Sequence, residues 1–381
     1  MDCATLNMEA ISTLLYFLIT IGILVSFHEF GHYSAARLCG VKVLRFAVGF
    51  GKPLLTFKSK LDTEWVIAAI PLGGYVKLLD GRDTDQKIAP EEQSYAFDAQ
   101  PLWQRSFIVA AGPLANFLLA IGLLTFIYIN GVPQLPAQIQ MPAENTLAAK
   151  LEMEQGDEIL SWRGAGDDTF IPIVSWNDLR WRLLDAITAE KGFSLELEDE
   201  SGERHTVEFK GSDLPRLSPN TDPFAILGIL PIPGKNAQGE STWFELQLDP
   251  IDSIMYATER VWLITKVSTR MMIGLMTGET SLKQLSGPIS IADMAGKSAQ
   301  FGWQSFLSFL ALLSISIGLL NLVPLPMLDG GQLLYDAWEL LSGRRISVEL
   351  QGVFQRFGFI LIIALTIFAL FNDLQRFFPS S

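Results

Sequence analysis

Residues 11–33 read ISTLLYFLITIGILVSFHEFGHY, an apolar run over 11–27 that continues through His28-Glu29-Phe30-Gly31-His32 to about Tyr33. As a helix it is long enough to cross the hydrocarbon core of a bilayer. Nothing basic precedes it, so it lacks the n-region of a cleaved signal peptide. Residues at i and i+4 of a helix share a face. The two imidazoles can therefore bind one metal ion, and Glu29 beside them can take a proton from water. Imidazole suits Zn²⁺, and a catalytic zinc keeps three protein ligands and one open position. Ionisable groups inside a membrane helix are costly and are functional hypotheses by default. The plain alternative is an interfacial helix end whose polar residues meet water.

The rest of the chain fits a membrane protein. Of its 381 residues, 49% are apolar and 18% charged, with mean hydropathy +0.30; soluble domains carry about a quarter charged residues. The apolar content, scattered glycines and lack of heptads exclude disorder, collagen and coiled coil. Cys3 and Cys39, without a CxxC, exclude a disulfide scaffold and a Cys-based zinc site. A net charge of −13 argues against nucleic-acid binding. Three more apolar runs, 106–129, 303–323 and the shorter 357–371, bring the predicted spans to four.

Charge orients these spans. Residues 33–60 hold Arg37, Lys42, Arg45, Lys52, Lys58 and Lys60 and no acidic residue. Arg344, Arg345 and Arg356 lie between spans three and four, whereas 131–250 holds nine basic and 21 acidic residues. By the positive-inside rule both termini and 131–250 are outside, and the loops 33–104 and 324–356 inside. Spans one and three then run parallel, and Cys3 and Cys39 fall on opposite sides. Residues 251–276 carry Asp252, Glu259, Lys266 and Arg270 on one narrow stripe of a helix. That predicts an amphipathic helix lying on the membrane or the bundle, or equally one belonging to a soluble domain.

Residues 134–232 read as a small water-soluble α/β domain. An apolar-periodic stretch over 146–153 precedes Gly156-Asp157-Glu158-Ile159-Leu160, and 176–187 reads as a helix with Asn177 as its cap. Alternation on both sides of Glu200-Ser201-Gly202-Glu203 marks a hairpin, in which His205 is a solvated strand residue. The order resembles a PDZ domain. In that likeness 225–229 would be a strand whose edge, at Leu227, Gly228 and Ile229, takes up a peptide as an added strand. The alternative is a small α/β domain without a peptide groove.

A third metal ligand must come from elsewhere, and His205 is predicted outside. Span three ends in Asn321-Leu322-Val323-Pro324-Leu325-Pro326-Met327-Leu328-Asp329-Gly330-Gly331. From Ile11 to His28 a helix climbs roughly 26 Å at 1.5 Å per residue, and 303–321 covers a similar rise. In parallel spans both motifs therefore arrive near the inner face. Pro324 and Pro326 break the helix there, and unwound backbone at membrane depth is tolerated only where it lines a cavity or is buried. Asp329 is a carboxylate that zinc could use; on its own it would read as a turn residue.

HEFGH together with N-x-x-P-x-P-x-L-D-G resembles the site-2 protease family of intramembrane zinc metalloproteases, nearest its bacterial sigma-E-regulating subgroup. Gly112-Pro113-Leu114-Ala115-Asn116-Phe117 and Leu285-Ser286-Gly287-Pro288-Ile289-Ser290 match that subgroup too. So do Arg45-Phe46 with Gly49-Phe50-Gly51, and IPLGGYVK over 70–77. The likeness covers nearly the whole chain. It implies one zinc per chain on His28, His32 and Asp329, with Glu29 as general base, and a substrate cleft shaped by Asn321, Pro324 and Pro326. It implies that 65–79 forms a hairpin-like loop dipping into the membrane, where Leu72, Gly73, Gly74 and Tyr75 offer an edge to an unwound substrate strand; the plain alternative is an interfacial hairpin. The substrates it implies are single-span membrane proteins, namely anti-sigma factors and remnant signal peptides. Two departures stand out: one PDZ-like domain where close relatives carry two, and Gln332 where a close relative has His.

The expected architecture is an α-helical polytopic membrane protein with four transmembrane helices, a membrane-associated β-hairpin region and an inserted α/β PDZ-like periplasmic domain. Its segments are 1–33 with HExxH, a cytoplasmic-side β region at 34–104, span two at 105–130 and the PDZ-like domain at 131–235. Outside amphipathic helices at 236–302, span three with its LDG motif at 303–329, an inside loop or helix at 330–356 and span four at 357–381 complete it. The expected setting is the bacterial inner membrane, as a monomer in contact with lipid and without nucleic acid. The rival readings are a catalytically idle PDZ scaffold and a metal transporter.

Overall fold

The structure, a computed structural model, describes residues 3–60, 62–83, 88–216, 222–235, 240–278 and 287–377, with the side chains of 3–9, 71, 72 and 377 outside the description. In chain order, α1 (Cys3–Leu38) leads to β1 (Val43–Lys58), β2 (Glu64–Leu78), α2 (Leu102–Asn130), β3 (Val132–Gln134), α3 (Leu147–Lys150) and β4 (Glu158–Gly164). Then come β5 (Ile171–Pro172), α4 (Trp176–Ala189), β6 (Phe193–Glu198), β7 (Arg204–Phe209), α5 (Pro223–Leu227), β8 (Phe244–Leu246) and α6 (Pro250–Thr277). The chain closes with α7 (Pro288–Gln300), α8 (Trp303–Leu322), α9 (Asp329–Ser342) and α10 (Val348–Phe377). It divides into two compact units, Met1–Leu124 with Leu285–Ser381, and Thr125–Gln284.

Among the described residues four helices are long and apolar enough to cross a membrane: Ala10–Leu38, Leu102–Asn130, Trp303–Leu322 and Val348–Arg376. Two start earlier than the apolar runs 106–129 and 357–371, and each takes in an arginine. Arg105, just ahead of the apolar run 106–129, is buried within α2 and donates to Glu339 of α9 at 2.7 Å. Arg356 lies inside α10 rather than before it, so the fourth span is not short. A lone arginine can carry its charge to the interface along its methylene stem.

In the first unit β1 and β2 are long enough to bend and pair twice. Residues 43–48 pair with 74–78 on one side and with 64–67 on the other, and 53–58 pair with 64–68. The hairpin is therefore larger than 65–79, and Gly73-Gly74 bends β2 instead of closing a turn. Residues 74–78 form an outer run, with no further strand beside it among the described residues. Phe46, Ala47 and Val66 are buried, whereas Phe50, Leu54, Leu55, Phe57, Ile67 and Ile70 stay exposed.

The N-terminus of α7 is held by Asp373 of α10. Its carboxylate is fully buried and accepts from the backbone N–H groups of Gly287, Ile289 and Ser290, each at 3.0 Å. Leu285 and Ser286 of that motif lie outside the described residues.

The second unit holds an antiparallel sheet in the order β5-β4-β6-β7. Trp162, Phe193 and Phe209 stack at 4.3 and 4.6 Å beneath a core completed by Leu179 and Leu183 of α4. The hairpin is present, with Glu198 opposite Arg204 and His205 in a half-buried strand position. The cap of α4 is Ser175, not Asn177: Ser175 is extended and accepts from the Asp178 N–H, while Asn177 is already helical.

One further expectation is corrected, and one of two open readings finds support. Residues 225–229 do not form a strand. Asp222 caps α5, Pro223 opens it, and Gly228 ends it at φ 82°, a left-handed C-terminal stop that glycine makes without steric cost. Leu227 and Ile229 are fully buried, so no strand edge for a peptide exists at Leu227, Gly228 and Ile229. The polar stripe of α6 packs on α4 of the same unit, as the soluble-domain reading of 251–276 has it. Glu259 accepts from Arg182, Lys266 donates to Asp185 at 2.7 Å, and Arg270 also pairs with Asp185.

Candidate active site

Glycines let α1 lie against α2 closely enough to build the site. A Cβ on Gly31 would fall 2.2 Å from the Ala111 carbonyl oxygen, and one on Gly112 would fall 2.2 Å from His32 Nε2. With that contact made, His32 Nδ1 reaches the Ile108 carbonyl oxygen at 2.9 Å.

Asp329 arrives from the loop that follows α8. Val323 ends the helix in extended geometry before Pro324, which cannot continue it. The loop is tight because Gly330 and Gly331 pack on carbonyls: added Cβ atoms would sit 2.3 Å from the Val323 oxygen and 2.4 Å from the Leu325 oxygen. Met327 takes φ 95° beside them, a strained value for a residue with a side chain. Asp329 then opens α9, which is tied to α2 by Ser106–Asp336 at 2.9 Å and Arg105–Glu339 at 2.7 Å.

These elements bring three ligand atoms together. His28 Nε2 lies 3.2 Å and His32 Nε2 3.5 Å from Asp329 Oδ2, and the two Nε2 atoms are 3.2 Å apart. Among the described residues Asp329 Oδ2 is buried without a well-formed hydrogen bond. An orphaned buried oxygen facing two imidazole nitrogens is what a cation between them would satisfy. The donor set of two imidazoles and one carboxylate suits Zn²⁺, so the residues fit that metal.

Glu29 points into the same cavity of about 470 Å³, along with Gly73, Gly74, Tyr75, Val76, Asn321, Met327 and Leu328. The Val76 backbone N–H reaches its carboxylate. Gly74 is required beside it, since a Cβ there would meet the Ala47 oxygen at 2.7 Å and Glu29 Cγ at 3.2 Å. The outer run 74–78 thus passes directly beside the candidate base. Pro324 and Pro326 do not line the cavity; Pro326 instead backs the loop against Gly358 of α10. The side chain of Leu72 lies outside the described residues. Gln332 turns away to hydrogen-bond Asp336 at 3.2 Å. Reading the sequence alone gave no role to Asn116, whose side-chain amide lies 3.4 Å from His28 Nδ1, nor to Gly112.

Two imidazoles and a carboxylate that converge beside a second carboxylate, among membrane-length helices, have the make-up of a membrane metallohydrolase centre. The chain belongs to peptidase family M50, whose family model matches residues 16–365. It is 34% identical to a candidate zinc metalloprotease of Ralstonia nicotianae, over 96% of this chain and 99% of the relative. It is 33% identical to the regulator of sigma-E protease RseP of Escherichia coli and to the regulator of sigma E protease of Haemophilus influenzae, over 94% of this chain and 98% of each. These alignments run over 457, 447 and 437 positions against 381 residues here, so each relative carries residues without a counterpart in this chain. The protein is a multi-pass membrane zinc metalloprotease.

Proposed function

We propose that the protein is an intramembrane endopeptidase that hydrolyses peptide bonds within the transmembrane segments of single-span proteins. Anti-sigma factors and remnant signal peptides are the substrate classes. The observation that carries this is the approach of His28 Nε2, His32 Nε2 and Asp329 Oδ2 to within 3.5 Å of one another, in the cavity that Glu29 lines. One zinc held by these ligands would polarise the scissile carbonyl and bring the pKa of water toward 7. Glu29 takes the proton of the attacking water and hands it to the leaving amine. The outer run at Gly74 and Tyr75, with Gly73 at the bend before it, pairs with the substrate backbone, which must be unwound because a helix keeps its carbonyls engaged. Asn321 lines the cleft, where its amide can donate to the carbonyl oxygen as negative charge develops. Pro324 and Pro326 stiffen the loop behind Asp329.

The protein works as a monomer in the bacterial inner membrane, with both termini and residues 131–250 on the periplasmic side and the active site near the cytoplasmic side. The six basic residues of 33–60 against the acidic 131–250 segment support that orientation. The α/β core of the second unit is a PDZ-like domain that filters substrates by size or docks them. Its support is the strand after Gly156-Asp157, the α4 helix and the β6–β7 hairpin.

The test is cleavage of a single-span reporter by wild type and by Glu29→Gln, with bound zinc counted in both. Cleavage lost with zinc retained is the expected result. Unchanged cleavage by Glu29→Gln would overturn the mechanism, and metal flux into vesicles that survives the substitution would favour a transporter.

A further inference from the structure

The two histidines are supported differently. Their Nε2 atoms face each other and Asp329, so Nε2 is the ligand atom of both. A neutral imidazole that offers its Nε2 lone pair carries its proton on Nδ1 and needs an acceptor there. His32 has one in the Ile108 carbonyl oxygen. At His28 the group beside Nδ1 is the Asn116 amide, with Nδ2 at 3.4 Å, while Asn116 Oδ1 is buried with no partner among the described residues. A half-turn of the amide places Oδ1 on the Nδ1 proton and satisfies both groups; the hydrogen-bond network is what decides between the two orientations. The rest of Asn116 is fixed. It is fully buried, its backbone oxygen accepts from Ser314 Oγ of α8 at 2.7 Å, and Gly318 brings α8 close to its Cβ.

We infer that Asn116 is a positioning residue for His28: its side-chain carbonyl accepts the Nδ1 proton and holds the tautomer that leaves Nε2 free for metal. This rests on the zinc site proposed above. Outer partners of metal-bound histidines fix the ring and raise its basicity, and their removal typically costs about 10- to 100-fold in metal affinity.

The test measures zinc affinity by chelator competition in the purified full-length protein, with the Co²⁺ absorption spectrum as a second readout. Asn116→Asp keeps an acceptor and no donor, and is expected to bind at least as tightly as wild type. Asn116→Leu keeps the volume without the acceptor. It is expected to lose about 10- to 100-fold and to alter the Co²⁺ bands, while the zinc-free protein melts as wild type does. Wild-type affinity in Asn116→Leu would reduce the residue to packing and overturn the inference. Weakened binding in Asn116→Asp would overturn it as well, even if Asn116→Leu does not fold, because only a donor role predicts that loss. His28→Ala separates the two levels. If it binds zinc as wild type does, the proposed site itself is wrong; if it binds weakly, the site stands whatever Asn116 does.

Discussion

Two glycines separate metal binding from chemistry at the residue scale. Gly112 is the space that His32 occupies, so Gly112→Ala must push the imidazole off its position. Zinc affinity should fall by about 10-fold or more, and cleavage with it. Gly74 is the space between β1 and Glu29, and Gly74→Ala displaces the strand or the base without touching a ligand. Cleavage should be lost there with zinc retained. Paired measurements of zinc content and reporter cleavage check both, and zinc loss in Gly74→Ala would contradict this division. The histidines and Glu29 were legible in the sequence because i, i+4 spacing on a helix is local information. Asp329 was legible through the matching depth of two parallel spans and the family likeness of its motif, not from its own neighbours. Gly112 and Asn116 were visible as letters of a motif but not as parts of the site, because their work depends on which helix faces α1.

At the scale of elements, the ends of helices carry the predictions. Asp373 supplies α7 with the capping carboxylate its own sequence lacks, since Gly287 at the N-cap has no side chain to offer. A hydrogen bond to a charged group contributes about 1.5–3 kcal/mol. Asp373→Ala should destabilise the first unit by an amount in that range, read as a lowered thermal midpoint in detergent, with the second unit unchanged. The tie between α9 and α2 depends on pH. Burial raises the Glu339 carboxyl, but the hydrogen bonds and charges of Arg105 and Arg345 outweigh it and hold the group below its ordinary value. A depressed carboxylate contributes stability above its unfolded pKa and loses it as pH falls through the folded one. Glu339→Gln should therefore be less stable than wild type near neutral pH, and the two should converge only as the pH falls below the ordinary glutamate range and through the lowered folded value. A gap that persists in acid would rule out the ion pair as its cause. Element boundaries were less legible for the same kind of reason. A stripe of charges on 251–276 looks the same whether it faces water or α4, and Leu227 is equally apolar in a strand or at the end of a five-residue helix.

For the whole molecule, the four spans were legible because bilayer thickness sets one length that every span must meet. The sheet of the first unit was not. Its pairing of 43–48 with two separate runs of β2 depends on bends at glycines whose partners lie far along the chain. The division into units also sets how metal removal should act. His28, His32 and Asp329 all belong to the first unit, and the second has its own core around Phe193 and Leu195. A ligand that binds only the folded state stabilises it by RT ln(1 + [L]/Kd), about 4 kcal/mol when free ligand stands 1,000-fold above Kd. Stripping zinc with a chelator should therefore abolish cleavage and lower the unfolding midpoint of the first unit, while hydrogen exchange in β4 and β6 of the second stays as protected as before. Loss of protection in both units would show that they unfold together. An unchanged midpoint in the first would mean that its three converging ligands hold no metal in the native protein.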